Sequence, residues 1–191
     1  LSHANGWHRD MAQRLLVESG DRNVLPALKK LAENGDNPLG RLHALWTIEG
    51  LGHSDPEMLL NLLNDKNQLI RSNALRLLEP IAIKDKTVRL KLENELPFSV
   101  QGSSAKTAVQ VALTAGILDS PSSRNLLIGI ANKYDTSALM RDVILSSLKD
   151  QEFAFLRALS KSTFKETYSS GKAIFLEMLT TSIVRKGNAA E

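Results

Sequence analysis

Apolar residues recur along the chain three and four positions apart, the spacing that lines one face of an α-helix. Four such segments open on an arginine: Arg9-Asp10-Met11-Ala12-Gln13-Arg14-Leu15-Leu16, Arg41-Leu42-His43-Ala44-Leu45-Trp46, Arg71-Ser72-Asn73-Ala74-Leu75-Arg76-Leu77-Leu78 and Arg141-Asp142-Val143-Ile144-Leu145. Successive arginines lie 32, 30 and 70 residues apart, and the last step is two steps of 35. A further copy is therefore expected near residue 106. Ala105-Lys106-Thr107-Ala108-Val109-Gln110-Val111-Ala112-Leu113 has the right period, with its register open by about two residues. Each of these five segments is followed by a second apolar-periodic stretch: Val24 to Glu33, Pro56 to Leu63, Lys86 to Glu95, Ser122 to Tyr134 and Glu152 to Leu159.

The boundaries carry their own signals. Asn37-Pro38, Asp55-Pro56 and Ser120-Pro121 each place a capping side chain before a proline at the first helical position. Gly20, Gly35 and Gly52 stand where a left-handed residue would end a helix, and Pro80 is expected to kink or stop the helix holding Leu77 and Leu78. No strand-like alternation of useful length occurs. The pattern predicts an all-α chain of about five helix pairs, near residues 6–34, 37–63, 65–95, 99–134 and 136–159. Residues 160–171 read as a loop or weak helix, and a capping helix is expected over 172–186.

Two helices every 30–35 residues is the period of an α-α superhelix, in which each pair buries its apolar face against its neighbours. The unit is shorter than the roughly 40–47 residues of typical HEAT and armadillo repeats, which favours a short HEAT-like solenoid spanning 1–191 as one elongated domain.

Composition narrows the function. With 42% hydrophobic and 24% charged residues the chain belongs with folded globular proteins, and no apolar run reaches the roughly 18 residues of a membrane span. The absence of cysteine removes disulfides, thiolate metal sites, a thiol nucleophile and thioether attachment of haem. Residues 1–95 hold 13 Lys/Arg and 13 Asp/Glu, and residues 96–191 hold 11 and 8. A surplus of three charges spread over a hundred residues is not the concentrated basic face of a nucleic-acid binder.

Candidate chemistry is sparse. His3, His8, His43 and His53 lack metal-ligand spacing and read as surface or inter-helix hydrogen-bonding groups. Trp7 and Trp46 fall on first helices and read as core rather than as stacking platforms. Ser103-Ser104 and Ser122-Ser123 lie near helix starts without a recognisable histidine partner, and Gly50-Leu51-Gly52 lacks the lysine of a phosphate loop. The recurring arginines Arg9, Arg41, Arg71 and Arg141 have two readings. One is a ladder that grips an acidic partner. The favoured one is structural, in which they pair with carboxylates such as Asp10, Asp36 or Asp65 or bond helix-end carbonyls. No catalytic, cofactor-binding or metal-ligating residue is expected.

The opening from Leu1 to Glu18, with Asn5, Trp7, Arg9, Gln13 and Arg14, resembles a segment of large bacterial secreted or periplasmic proteins. In that family a sugar-dehydrogenase-like β-propeller precedes a HEAT-like stretch, and a cytochrome c domain with a CxxCH motif follows. Pro38 to Gly52, with Arg41, His43, Trp46 and Glu49, resembles the same family's second repeat, and Gln110 to Thr114 echoes a later one. The likeness covers about the first 80 residues and thins after Leu113, and His8 stands where the family has a second aromatic. The resemblance implies a fragment of a larger dehydrogenase/cytochrome, exported to the periplasm or beyond, with haem c and the redox chemistry in the flanking domains. Those domains, or another protein, would be its partners. The alternative is a nucleic-acid-binding module similar to the HEAT-like alkylpurine DNA glycosylases, with the arginine ladder on phosphates.

Overall fold

The computed structural model describes residues 1–100 and 104–187, and these are helical with no strand among them. The chain forms two compact units, Leu1–Val88 and Arg89–Glu191.

The first unit contains α1 (Gly6–Ser19), α2 (Leu25–Asn34), α3 (Pro38–Gly50), α4 (Pro56–Leu62), α5 (Gln68–Lys84) and the start of α6 (Lys86–Val100). The first helices of its three pairs are each capped by an asparagine: Asn5 accepts from the Trp7 amide, Asn37 from those of Leu39 and Gly40, and Asn67 from that of Leu69. Contacts between α1 and α3 rise together along both helices. Ser2 lies against Gly40, Gln13 meets His43, and Val17 lies against Gly50, so the two run parallel. Arg41 with Asp65 and Trp46 with Asn73 set α3 and α5 in the same sense. The core between these helices and α2 and α4 is aliphatic, built on Ala32, Ala44, Leu45, Ile48, Leu59, Ile70, Leu75 and Leu78.

Three expectations are corrected here. Pro80 does not stop its helix: α5 continues to Lys84, because Leu77, Leu78 and Ala82 all bury on one face and that burial outweighs one lost backbone bond. Gly35 is extended, at φ −67°, not left-handed. Its lack of a side chain matters for space, since a Cβ there would lie 2.6 Å from the Leu31 carbonyl oxygen and 3.1 Å from Arg41 Cγ. Trp7 is 61% exposed rather than core, standing at the second position of α1 on its outer edge. Gly20 and Gly52 are left-handed as expected, at φ 62° and 74°.

The second unit contains the remainder of α6, then α7 (Ala105–Leu118), α8 (Pro121–Lys133), α9 (Ala138–Ser147), α10 (Glu152–Leu159) and α11 (Ser170–Lys186). The helix expected to end at Glu95 runs on to Val100 through Pro97. Ser104 caps α7, which resolves the register of the fourth copy: its fourth position is Ala108, so the slot held by arginine elsewhere is apolar here. Ser103 lies outside the described residues. Ser120 and Ser123 form a reciprocal capping box at the start of α8, so these hydroxyls serve the backbone.

Gly116 allows α7 and α9 to touch backbone to backbone, since a Cβ there would lie 2.5 Å from both the Cβ and the carbonyl oxygen of Ser147. Gly116→Ala is therefore expected to destabilise the second unit by about 2–3 kcal/mol, read as a lowered urea midpoint. An unchanged midpoint would mean that α7 and α9 part at little cost.

The loop between α10 and α11 holds a short 3-10 turn at Thr163–Glu166, pinned from below by Lys172. That buried ammonium donates to the carbonyls of Phe164 (2.9 Å) and Thr167 (3.2 Å) and to the Thr167 hydroxyl (2.7 Å).

Candidate interaction groove

The arginine ladder is structural. Arg9 Nη1 donates to the carbonyls of His3 (2.6 Å) and Ala4 (2.8 Å), Arg71 Nη1 to that of Asp65 (2.6 Å) and Arg141 Nη1 to that of Asp135 (2.8 Å). All three are at the fourth helical position and reach back six residues, to the carbonyl two places before the N-cap. The repeat therefore encodes a local staple that fixes the turn entering each first helix. Arg41 is the exception, and Gly35 stands at that place. Its side chain passes over the glycine to the Ala32 carbonyl, the end of α2, at 2.7 Å and forks onto the Asp65 carboxylate. Arg41 is 5% exposed.

Asp65 also accepts the Asn67 amide at 2.7 Å. Burial pushes the Asp65 carboxyl up, but the Arg41 fork and the Asn67 amide together hold it below the usual carboxylate range. These groups floor a polar groove of about 850 Å³ between the α2–α3 and α4–α5 turns, rimmed by Glu33, Asp36 and Lys66. Its buried charges are matched internally.

A second groove, of about 460 Å³, runs between α1 and α3 and is lined by four of the residues singled out by resemblance, Gln13, Arg14, Trp46 and Glu49. Gln13 and His43 join its two helices: with Gln13 Oε1 2.7 Å away, His43 Nδ1 carries the proton and donates. Nε2 of the same ring lies 3.8 Å from Asp10 Oδ1. Burial, only partly offset by Asp10 and reinforced by Arg9, lowers the His43 pKa below the ordinary histidine value. Neutral His43 is thus the folded form, and the unfolded chain takes a proton first as pH falls through about 6.5. The first unit should lose stability between pH 7 and pH 5, and His43→Gln should remove that part of the dependence. A Tm that is flat over this range in the wild type would contradict the assignment.

Trp46 forms one wall. Its Nε1 donates to Asn73 Oδ1 at 3.0 Å, Asn73 Nδ2 is itself held by the Leu69 carbonyl at 2.8 Å, and the Arg76 guanidinium stands 5.4 Å from the ring centre. The indole is therefore fixed in place, half-buried. Across from it, Arg14 pairs with Glu18 at 2.7 Å, one helical turn on. Asp10 and Glu49 complete the rim, both exposed, and the Glu49 carboxylate has no hydrogen bond or ion pair among the described residues. Sequence reasoning named Gln13, Arg14, His43, Trp46 and Glu49 but missed Asn73 and Arg76, which come from the next repeat and share no local signal with them. Asn5 and Arg9, also in that set, serve the start of α1, and Trp7 stacks edge-on with His8.

Among the described residues no three metal-ligating side chains come together, and no helix is long and apolar enough to cross a membrane. Comparison with protein-family models, curated proteins and solved structures finds no match for this chain.

Proposed function

We propose that this chain is a non-catalytic HEAT-like module whose helix pairs continue as an α-α superhelix, and that it works as a spacer and docking scaffold. The observation that carries the reading is the α1–α3 groove. Side chains that the core does not need, Gln13, Trp46 and Glu49 among them, converge on one open concavity with a rigid aromatic wall. Such preorganised surfaces suit recognition of another polypeptide. The nucleic-acid alternative is disfavoured by the ladder itself, whose guanidinium groups bond backbone carbonyls and the Asp65 carboxylate instead of standing free for phosphates.

By resemblance, the partners are a β-propeller and a cytochrome c domain of one exported oxidoreductase, which this module would hold in register for electron transfer, with haem c bound outside this chain. The test is made on the full-length protein: oxidised and reduced visible spectra together with a covalent-haem stain. Haem absorbance and a stained band of full-length mass are expected. A colourless protein would remove the cytochrome setting.

A further inference from the structure

The α1–α3 groove has a charge pattern that specifies its occupant, and this inference rests on the interaction-module reading above. Three carboxylates, Asp10, Glu18 and Glu49, edge it, against the single cation Arg14, which is already bonded to Glu18. The Asp10 carboxylate lies 3.8 Å from Nε2 of His43, whose pKa burial lowers, and among the described residues neither Asp10 nor Glu49 is paired with a lysine or arginine. Trp46, locked by Asn73, lines the same groove, and the chain's own Arg76 over its ring shows the indole accepting a guanidinium.

A planar cation suits all of these groups together. A guanidinium can lie along the indole and fork onto a carboxylate, whereas a phosphate or a carboxylate would meet two unpaired negative charges. The groove's volume, about 460 Å³, matches one long side chain with its flanking backbone. We propose that the groove is a docking site for a basic polypeptide segment, and that it receives an arginine side chain between Trp46 and the carboxylates of Asp10 and Glu49.

The test uses the whole chain carrying Trp7→Phe, which leaves Trp46 as the only tryptophan emitter. The probes are fluorescein-labelled octapeptides of alternating arginine and glycine, with lysine-glycine and glutamate-glycine counterparts, followed by anisotropy at 50 and 150 mM salt. The arginine peptide is expected to saturate and, in unlabelled form, to alter Trp46 emission, with the lysine peptide several-fold weaker and the glutamate peptide silent. Glu49→Gln and Asp10→Asn should each weaken binding about 5–10-fold. Glu33→Gln, on the other groove, should leave it unchanged.

Equal weakening by Glu33→Gln would reduce the effect to net charge and overturn the proposal, as would failure to saturate. Binding of the glutamate peptide in the same groove would overturn the arginine assignment while leaving the interaction module intact. The haem spectrum of the full-length protein reports separately on the scaffold setting.

Discussion

Arg41→Ala is expected to cost about 3–5 kcal/mol of stability, the range for removing one partner of a buried ion pair. The size follows from what is left behind. The Ala32 carbonyl loses its 2.7 Å donor at the end of α2, and the Asp65 carboxylate loses its fork inside a site where Arg41 is almost wholly covered. Asp65 also links onward, since its carbonyl holds Arg71 and its carboxylate caps the turn at Asn67, so the damage spreads to the entry of α5. Urea unfolding followed by tryptophan emission would measure the loss, because both tryptophans lie in the first unit.

A companion variant and a pH series make the prediction sharper. Arg41→Met with Asp65→Ala should recover most of the loss, because no charge then remains buried unpaired. The wild type should also lose this contribution only in acid. A carboxylate held below its ordinary value stabilises the fold above about pH 4 and ceases to do so as pH falls through its folded pKa. Arg41→Ala should flatten that acid limb. A cost below about 1 kcal/mol would mean that the pair behaves as a surface salt bridge.

Phe155→Ala is expected to destabilise the second unit by about 3–5 kcal/mol, as for other fully buried aromatics cut to alanine. Phe155 has no exposed surface and meets Phe175 of α11 edge to face, with ring centres 6.2 Å apart and planes 87° apart. Phe164, from the 3-10 turn, lies against the same Phe175 ring at 6.1 Å, and Lys172 stands over Phe164. One truncation therefore loosens the packing of α10, α11 and the turn between them. Far-UV circular dichroism should show the lowered transition, and hydrogen exchange should place the earliest opening in α10 and α11. Phe155→Leu should cost less than half as much, since volume and apolarity are largely kept. Tyr168→Ala, at an exposed site in the same loop, should change stability by under about 0.5 kcal/mol.

These predictions divide along the line between local and long-range interactions. Helix period, proline-led starts and capping residues act over three or four positions, so Asn37, Asp55 and Ser120 could be recognised as caps from their neighbours alone, and Glu152–Leu159 coincides with its expected span. The all-helical character and the alternation of first and second helices were legible for the same reason: burial patterns are written into every turn.

Other features depended on residues far away in sequence. Nothing near Pro80 indicates that three buried side chains will carry its helix onward. Nothing near Trp7 indicates that its indole is left largely exposed. The arginines were recognisable as recurring, but only the packed turns show that Arg9, Arg71 and Arg141 reach a carbonyl six residues back whereas Arg41 crosses Gly35 to the Ala32 carbonyl and the Asp65 carboxylate. The groove is the extreme case, since its aromatic wall is positioned by Asn73 and Arg76, 27 and 30 residues beyond Trp46. Apolar periodicity and capping are short-range and survive in the unfolded chain as propensity, whereas unpaired charge, exposed aromatic surface and concavity exist only after helices from successive repeats have packed.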